Sequence, residues 1–215
     1  MIVTIDGPAG AGKSSAARLL AERLGFEFLD TGAMYRALTW YCQSRGVDLQ
    51  DLDGVVAAAR QMRLELTGSR VLVDGDDVSL LIRTHEITRE SRHVAGNNGA
   101  RAYLVELQRS LAAGRDIVTE GRDQGTVAFP QAECKFFLTA DPRERADRRR
   151  RELTARGESA SLEDILRQQE HRDQRDAERE FGAMRPAADA EIVDTSQLEL
   201  HEVVNRLEAS VRKRA

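Results

Sequence analysis

The chain has 215 residues with 41% hydrophobic and 32% charged side chains and a formal net charge of -4, the profile of an ordinary water-soluble domain with one sizeable core. That balance gives no global positive field for gripping nucleic acid, and no apolar run approaches the length of a membrane span. Two widely separated cysteines, Cys42 and Cys134, exclude a disulfide framework and a cysteine metal centre.

Ile2-Val3-Thr4-Ile5 is a β-branched run that predicts a buried strand. It runs straight into Asp6-Gly7-Pro8 with no signal-peptide apolar stretch, so a cytoplasmic protein is expected. Gly7 to Gly12 forms a glycine-rich turn, and Ser14 to Leu24 predicts a helix with Ala16, Ala17, Leu20 and Leu24 inward and Gly25 as its C-cap. Phe26 to Leu29 predicts a second strand, and Ala33 to Ser44 a helix ending near Gly46. Residues 50–95 change character: a short helix over Val55–Met62, then Leu64-Glu65-Leu66 and Val71-Leu72-Val73 as a hairpin turned at Gly68-Ser69. Arg101 to Ala113 predicts a helix, Asp116 to Thr119 and Cys134 to Leu138 strands. Arg143 to Arg156 and Leu162 to Glu180 predict charged helices, the second stopped before Pro186. Glu191 to Val193 is a last strand and Gln197 to Val211 a final amphipathic helix.

Strands alternating with helices predict an α/β fold with a parallel sheet. Asp6, Asp30, Glu120, Asp141 and Asp194 each follow a predicted strand, and open parallel sheets bind ligands at their strands' carboxyl ends.

Gly7-Pro8-Ala9-Gly10-Ala11-Gly12-Lys13-Ser14, followed by Ser15, matches G-x-x-x-x-G-K-[ST] between a strand and a helix. Its glycines let successive backbone N–H groups point into one concavity, and the helix start adds its positive end. Lys13, one of only three lysines beside Lys135 and Lys213, would reach β- and γ-phosphates, and the Ser14 hydroxyl would hold Mg2+. A phosphate loop serves kinases and nucleotide switches alike. The absence of any Asn-Lys-x-Asp run weakens the guanine-reading switch.

Four further segments resemble bacterial cytidylate kinases: Asp30-Thr31-Gly32-Ala33-Met34-Tyr35-Arg36, Ile82-Arg83-Thr84, Glu120-Gly121-Arg122-Asp123-Gln124-Gly125-Thr126-Val127-Ala128-Phe129-Pro130, and Arg172-Asp173-Gln174-Arg175-Asp176-Ala177-Glu178-Arg179. With the phosphate loop and Pro186-Ala187-Ala188-Asp189-Ala190 they run in family order over nearly the whole chain. The resemblance implies a P-loop three-layer α/β/α core with a five-stranded parallel sheet (about residues 1–50, 96–142 and 158–215). It implies a hairpin-containing monophosphate-binding insert (about 51–95) and a short helical lid (about 143–157). It also implies transfer of the ATP γ-phosphoryl group to CMP or dCMP with Mg2+; UMP, AMP, shikimate and a non-enzymatic switch are the alternatives.

The resemblance places Arg36, Arg122 and Arg179 on the acceptor phosphate, which arginine forks suit. Arg101 and Asp123 would read the pyrimidine, Arg172 and Asp176 the sugar hydroxyls, with Asp30, Thr31, Tyr35 and Arg83 completing the acceptor site. Lys13, Arg122 and the lid arginines Arg145, Arg148 and Arg149 would neutralise the transferring group. The lid stretch also carries Arg143, Arg150, Arg151 and Arg156, and Glu144, Asp147 and Glu152 beside them make a solvated, ion-paired face an equally available use for part of that charge. Family members commonly have a bulky apolar residue in place of Gln124, a second valine in place of Ala128, and a serine where Arg92 stands, with Ser91 one residue away. Nothing in the sequence demands more than a monomer, a nucleic-acid partner or a membrane.

Overall fold

The computed structural model describes residues 1–68, 70–155 and 157–214; Ser69 of the expected hairpin turn and Arg156 of the expected lid lie outside them. The chain divides into two compact units, Met1–Phe28 with Arg115–Ala215, and Leu29–Gly114.

The first unit is built on parallel strands β1 (Ile2–Asp6), β6 (Ile117–Glu120), β7 (Cys134–Thr139) and β8 (Glu191–Asp194). With β2 (Glu27–Asp30) they form the five-stranded sheet β2-β6-β1-β7-β8. β1 is central: Ile5 is in register with Glu120 on one side and Phe136 on the other. Its burial on both faces explains a β-branched run with no alternation. Helices α1 (Lys13–Leu24), α6 (Pro142–Ala155), α7 (Leu162–Ala177) and α8 (Leu200–Arg212) belong to the same unit. Ala16, Ala17 and Leu20 of α1 and Val203, Val204 and Leu207 of α8 close one core with Val3, Phe136, Leu138 and Val193. Gly25 caps α1 in the left-handed conformation, its N–H donating to Ala21 O and Glu22 O. Ser161 caps α7, and α8 starts three residues later than its periodicity predicts, where Glu199 and Glu202 form a reciprocal capping box.

In the second unit, α2 (Thr31–Ser44) and α3 (Leu52–Gln61) precede the hairpin of β3 (Leu64–Thr67) and β4 (Arg70–Val73), which pair antiparallel with Leu64 opposite Val73. A third short strand, β5 (Asp76–Asp77), extends it. The turn into it is Asp74-Gly75, both with positive φ, the Asp-Gly signature of a tight primed turn. Where no helix is predicted, α4 (His85–Gly96) follows a single 3-10 turn over Leu81–Arg83. Only Ile87 and Val94 of α4 are buried, an apolar stripe too sparse to read as a periodicity. The Gly96-Asn97-Asn98-Gly99 stretch is a helix-to-helix joint: Asn97 ends α4 and caps α5 (Asn98–Ala112), its side chain accepting from Ala100 N at 3.1 Å and donating to Leu52 O at 2.9 Å.

Asn97→Ala removes a helix cap and a buried tie at once, and we expect a loss of about 1–2 kcal/mol, read as a lower urea midpoint with unchanged slope. An unchanged midpoint would show that α5 does not need its cap.

Candidate functional site

Within the first unit, the phosphate loop bends sharply out of β1. Gly7 has φ 139°, and a Cβ placed there would lie 2.0 Å from Leu138 O, so no other residue lets the loop pass this close to β7. Gly10 is as tightly enclosed, a Cβ there lying 2.8 Å from Gln169 Nε2 and 3.0 Å from Arg145 Cβ. Gly12 caps α1 without a side chain, leaving the first N–H groups of the helix aimed at the loop's concavity.

Lys13 is 5% exposed and donates to Pro8 O at 2.8 Å. Burial pushes its amine down to about 7, the nearby Arg122 charge pushes the same way, and Glu120 opposes both. Ser14 Oγ donates to Glu120 Oε1 at 3.0 Å. This hydroxyl–carboxylate pair, on α1 and at the carboxyl end of β6, is a hard oxygen set of the kind Mg2+ accepts. Among the described residues no group of three or more His, Cys, Asp or Glu side chains could hold a metal ion.

The expected lid arginines behave differently from one another. Arg145 is 6% exposed, donating to Ala9 O at 2.8 Å, to Ala140 O at 3.2 Å and to Asp173. Asp173 also accepts from Ala9 N at 2.9 Å, so α6 and α7 hold the loop backbone by both its N–H and its C=O. Arg148 donates to the Thr195 hydroxyl at 3.0 Å, and that hydroxyl donates on towards Ala11 O at 3.2 Å. Arg149 donates to Glu152 Oε2 at 3.0 Å from a partly exposed position, and Arg150 and Arg151 face solvent with Asp147 as partner. Asp173 and Thr195 are not legible as loop-holding residues, because the partners that give them that role, Ala9 and Ala11, are distant in the chain.

The segment after β6 carries Arg122 and Asp123. A single π-helical turn over Gln124–Ala128 follows, which no sequence pattern announces. Asp123 is 4% exposed. Gln124 is buried and its amide oxygen accepts from Thr119 Oγ1 at 2.9 Å, so a polar side chain stands inside the core because a buried hydroxyl meets it.

Arg172, Asp176 and Arg179 do gather as the helical spacing predicts. Asp176, 3% exposed, accepts from Arg122 Nε at 2.8 Å and from Arg179 Nη2, with Arg172 Nε at 4.0 Å. Burial pushes its carboxyl up, but the charges of Arg122, Arg179 and Arg172 together outweigh burial and hold it below the usual range. Three guanidinium groups thus converge on one carboxylate.

The remaining expected acceptor residues lie in the second unit. Asp30 caps α2 by accepting from Ala33 N at 2.8 Å, and Arg36 Nη2 lies 3.7 Å from it. Thr31 opens that helix, buried. Arg36 Nε is buried and has no hydrogen-bond partner among the described residues. Arg101 is 2% exposed, its guanidinium 5.5 Å from the centroid of the Tyr35 ring. Arg83 is exposed at the end of the 3-10 turn. Arg92 faces solvent on α4, and Ser91, half-buried beside it, donates to Thr88 O at 2.8 Å.

A family model described as cytidylate kinase matches residues 3–213. The chain is 48% identical over 213 residues to a cytidylate kinase of Rhodopirellula baltica, covering 99% of this chain and 93% of that protein. It is 46% identical to one of Pelotomaculum thermopropionicum, with 97% and 95% covered. It is also 45% identical to a bifunctional pantoate ligase/cytidylate kinase of Synechococcus sp. strain JA-2-3B'a(2-13), of which it spans 39%. In fold it is similar to a gluconokinase of Sinorhizobium meliloti (TM-score 0.52, 17% identity, 99% and 91% of the two chains covered) and to a shikimate kinase of Bacteroides thetaiotaomicron (TM-score 0.51, 14% identity, 99% and 98% covered).

Proposed function

The chain belongs to the cytidylate kinase family, and we infer that it transfers the γ-phosphoryl group of ATP to CMP, giving ADP and CDP. The observation that carries this reading is the joint presence, in the first unit, of the enclosed phosphate loop with its buried Lys13 and of the Arg122–Asp176–Arg179 cluster. One grips a polyphosphate; the other concentrates guanidinium charge for a second, smaller anion.

The acceptor phosphate is already an anionic nucleophile at neutral pH, so transfer needs charge neutralisation and alignment more than proton abstraction. Residues Gly7 to Ser15 would cradle the donor phosphates, with Lys13 on the β- and γ-phosphates. Ser14 would hold Mg2+, which when bound screens the charge between those phosphates. Arg36, Arg122 and Arg179 would hold the acceptor phosphate, and Arg36 has a donor to spare. Arg172 and Asp176 would take the sugar hydroxyls, and Arg101 and Asp123 the base, a carboxylate accepting from the cytosine amino group. Asp30, Thr31, Tyr35 and Arg83 would line the same acceptor. Of the lid arginines, Arg149 has the weakest tie to give up, a surface pair with Glu152. Arg145 and Arg148 would first have to release the loop backbone and Thr195. dCMP is included as an acceptor because Arg172 is exposed and one missing hydroxyl leaves it solvated. The residues of about 51–95 would act as the acceptor insert and 143–157 as the lid. No helix among the described residues is long and apolar enough to cross a membrane.

A coupled ADP-release assay with ATP and CMP, dCMP, UMP, AMP, GMP or shikimate tests the reading. Turnover with CMP and dCMP should exceed that with AMP, GMP and shikimate by about ten-thousandfold, the discrimination that unpaired buried polar groups impose. Fastest turnover with AMP or shikimate would replace the acceptor named here.

A further inference from the structure

Asp6 is the last residue of β1, and the next residue is the first glycine of the phosphate loop. Its side chain does not face that loop's concavity. Oδ1 accepts from Gln124 N and Oδ2 from Gly125 N, each at 2.8 Å. The residue is 4% exposed. Two parallel N–H donors on one carboxylate make a forked, charge-assisted joint with a fixed angle.

What the joint carries is the segment beginning at Gly121. Gly121 N donates to Ile5 O at 3.1 Å, so the segment leaves β6 still attached to β1. Arg122 and Asp123 follow, and then the two amides that Asp6 holds. The same segment is braced from β7: Lys135 Nζ donates to Pro130 O at 2.7 Å and to Asp189, and its stem lies 3.3 Å from a Cβ built on Gly125. Neighbouring central strands therefore fix both ends of one short run, Asp6 its start and Lys135 its finish.

We propose that Asp6 is a positioning residue that sets the acceptor arginine Arg122 and the base-facing Asp123 at a fixed place relative to the phosphate loop, through its paired hydrogen bonds to Gln124 N and Gly125 N. The proposal rests on the CMP kinase reading of the site. Asp6 touches no reacting atom in this scheme. Its backbone leads directly into the donor's cradle and its side chain belongs to the acceptor's support, so it converts the sheet's rigidity into alignment of two anions, the quantity on which an in-line transfer depends. The choice of a carboxylate follows from the partners, since two N–H donors need two acceptor oxygens. An amide supplies one acceptor and turns a donor against the other N–H, and an apolar side chain leaves both amides buried and unpaired. Burial, with Asp123 adding to it, outweighs the two amide hydrogen bonds and the Lys13 charge, and the carboxyl is raised to about 7. A group kept there against desolvation has a task other than packing.

The test compares wild-type enzyme with Asp6→Asn, measuring CMP kinetics, affinity for a fluorescent ATP analogue, and the melting curve. The expected result is a KM for CMP raised at least tenfold and a kcat lowered about tenfold, with affinity for the ATP analogue within twofold of wild type. A merely structural role would weaken donor and acceptor binding together, and that result overturns the proposal, as does unchanged CMP kinetics. If Asp6→Asn does not fold, Asp6→Ser takes its place: its hydroxyl can accept one of the two amides, and the KM for CMP should rise with ATP-analogue affinity again retained. Wild-type enzyme that does not use CMP at all refutes the acceptor reading instead, so the two failures are told apart by the control.

Discussion

Lys13→Met should lower CMP-dependent turnover by about a thousandfold, the scale on which a donor to developing charge acts, while the melting temperature should hold or rise. Both halves follow from one fact. The amine is 5% exposed, and burial pushes it down to about 7. In the unliganded protein it therefore weakens the fold, because Glu120 and Asp6 offset only part of its dehydration; a polyanion in the loop would offset more. Methionine keeps the stem's volume and removes the dehydrated charge, at the cost of about 1 kcal/mol for the lost bond to Pro8 O. The sign with pH is fixed by the direction of the shift. The folded state binds the Lys13 proton less tightly than the unfolded chain, so the destabilisation is complete below pH 7 and fades as pH rises towards the ordinary lysine value of ~10.4. The variant's advantage in melting temperature should accordingly be greater at pH 6.5 than at pH 9.5. A variant keeping more than a tenth of wild-type turnover would remove Lys13 from the chemistry; a melting temperature lowered at both pH values would make it a structural lysine.

The parts of the molecule legible in the sequence are those where one residue type has one physical use. Lys13 after spaced glycines, Gly25 as a left-handed cap and the Leu64–Val73 hairpin pattern all read directly, and the structure has each in place. The parts that were not legible depend on partners distant in the chain. α4 presents two buried apolar residues in twelve and is held by its neighbours rather than by its own stripe. The π-helical turn at Gln124–Ala128 follows from Asp6 taking two amides 118 and 119 residues away, which no local propensity encodes. Arg145, Arg148 and Arg149 look alike as sequence, a basic helix with mixed acids. Only tertiary contact separates the one buried against Ala9 O from the one bound to Thr195 and the one paired at the surface. Gln124, conspicuous as a departure from the apolar residue expected there, is accommodated in the core by the Thr119 hydroxyl.

Asp176→Ala should unfold the protein about 5–10 °C earlier and raise the KM for CMP at least tenfold. The carboxylate is 3% exposed and receives Arg122 and Arg179, with Arg172 at 4.0 Å. Removing it leaves three like charges converging on a small void. Breaking a buried pair costs about 3–5 kcal/mol. Arg122 and Arg179 retain some solvent, which screens the loss to below that range, about 2–3 kcal/mol, and the stated shift follows at ~2–4 °C per kcal/mol for a chain of this size. The same carboxylate aims two arginines assigned to the acceptor phosphate, hence the KM effect. Asp176→Asn separates charge from shape: it preserves the volume and loses the ion pairing. The carboxyl's folded value is lowered, so its stabilisation is present above the unfolded carboxylate value of ~3.9 and is lost as pH falls through the folded one. The difference between wild type and Asp176→Asn should thus be constant from pH 5 to 8 and close only in more acid solution. A difference that closes between pH 5 and 8 would mean the three arginines do not hold the group ionised. Unchanged CMP kinetics in either variant would place the arginine cluster outside the acceptor site.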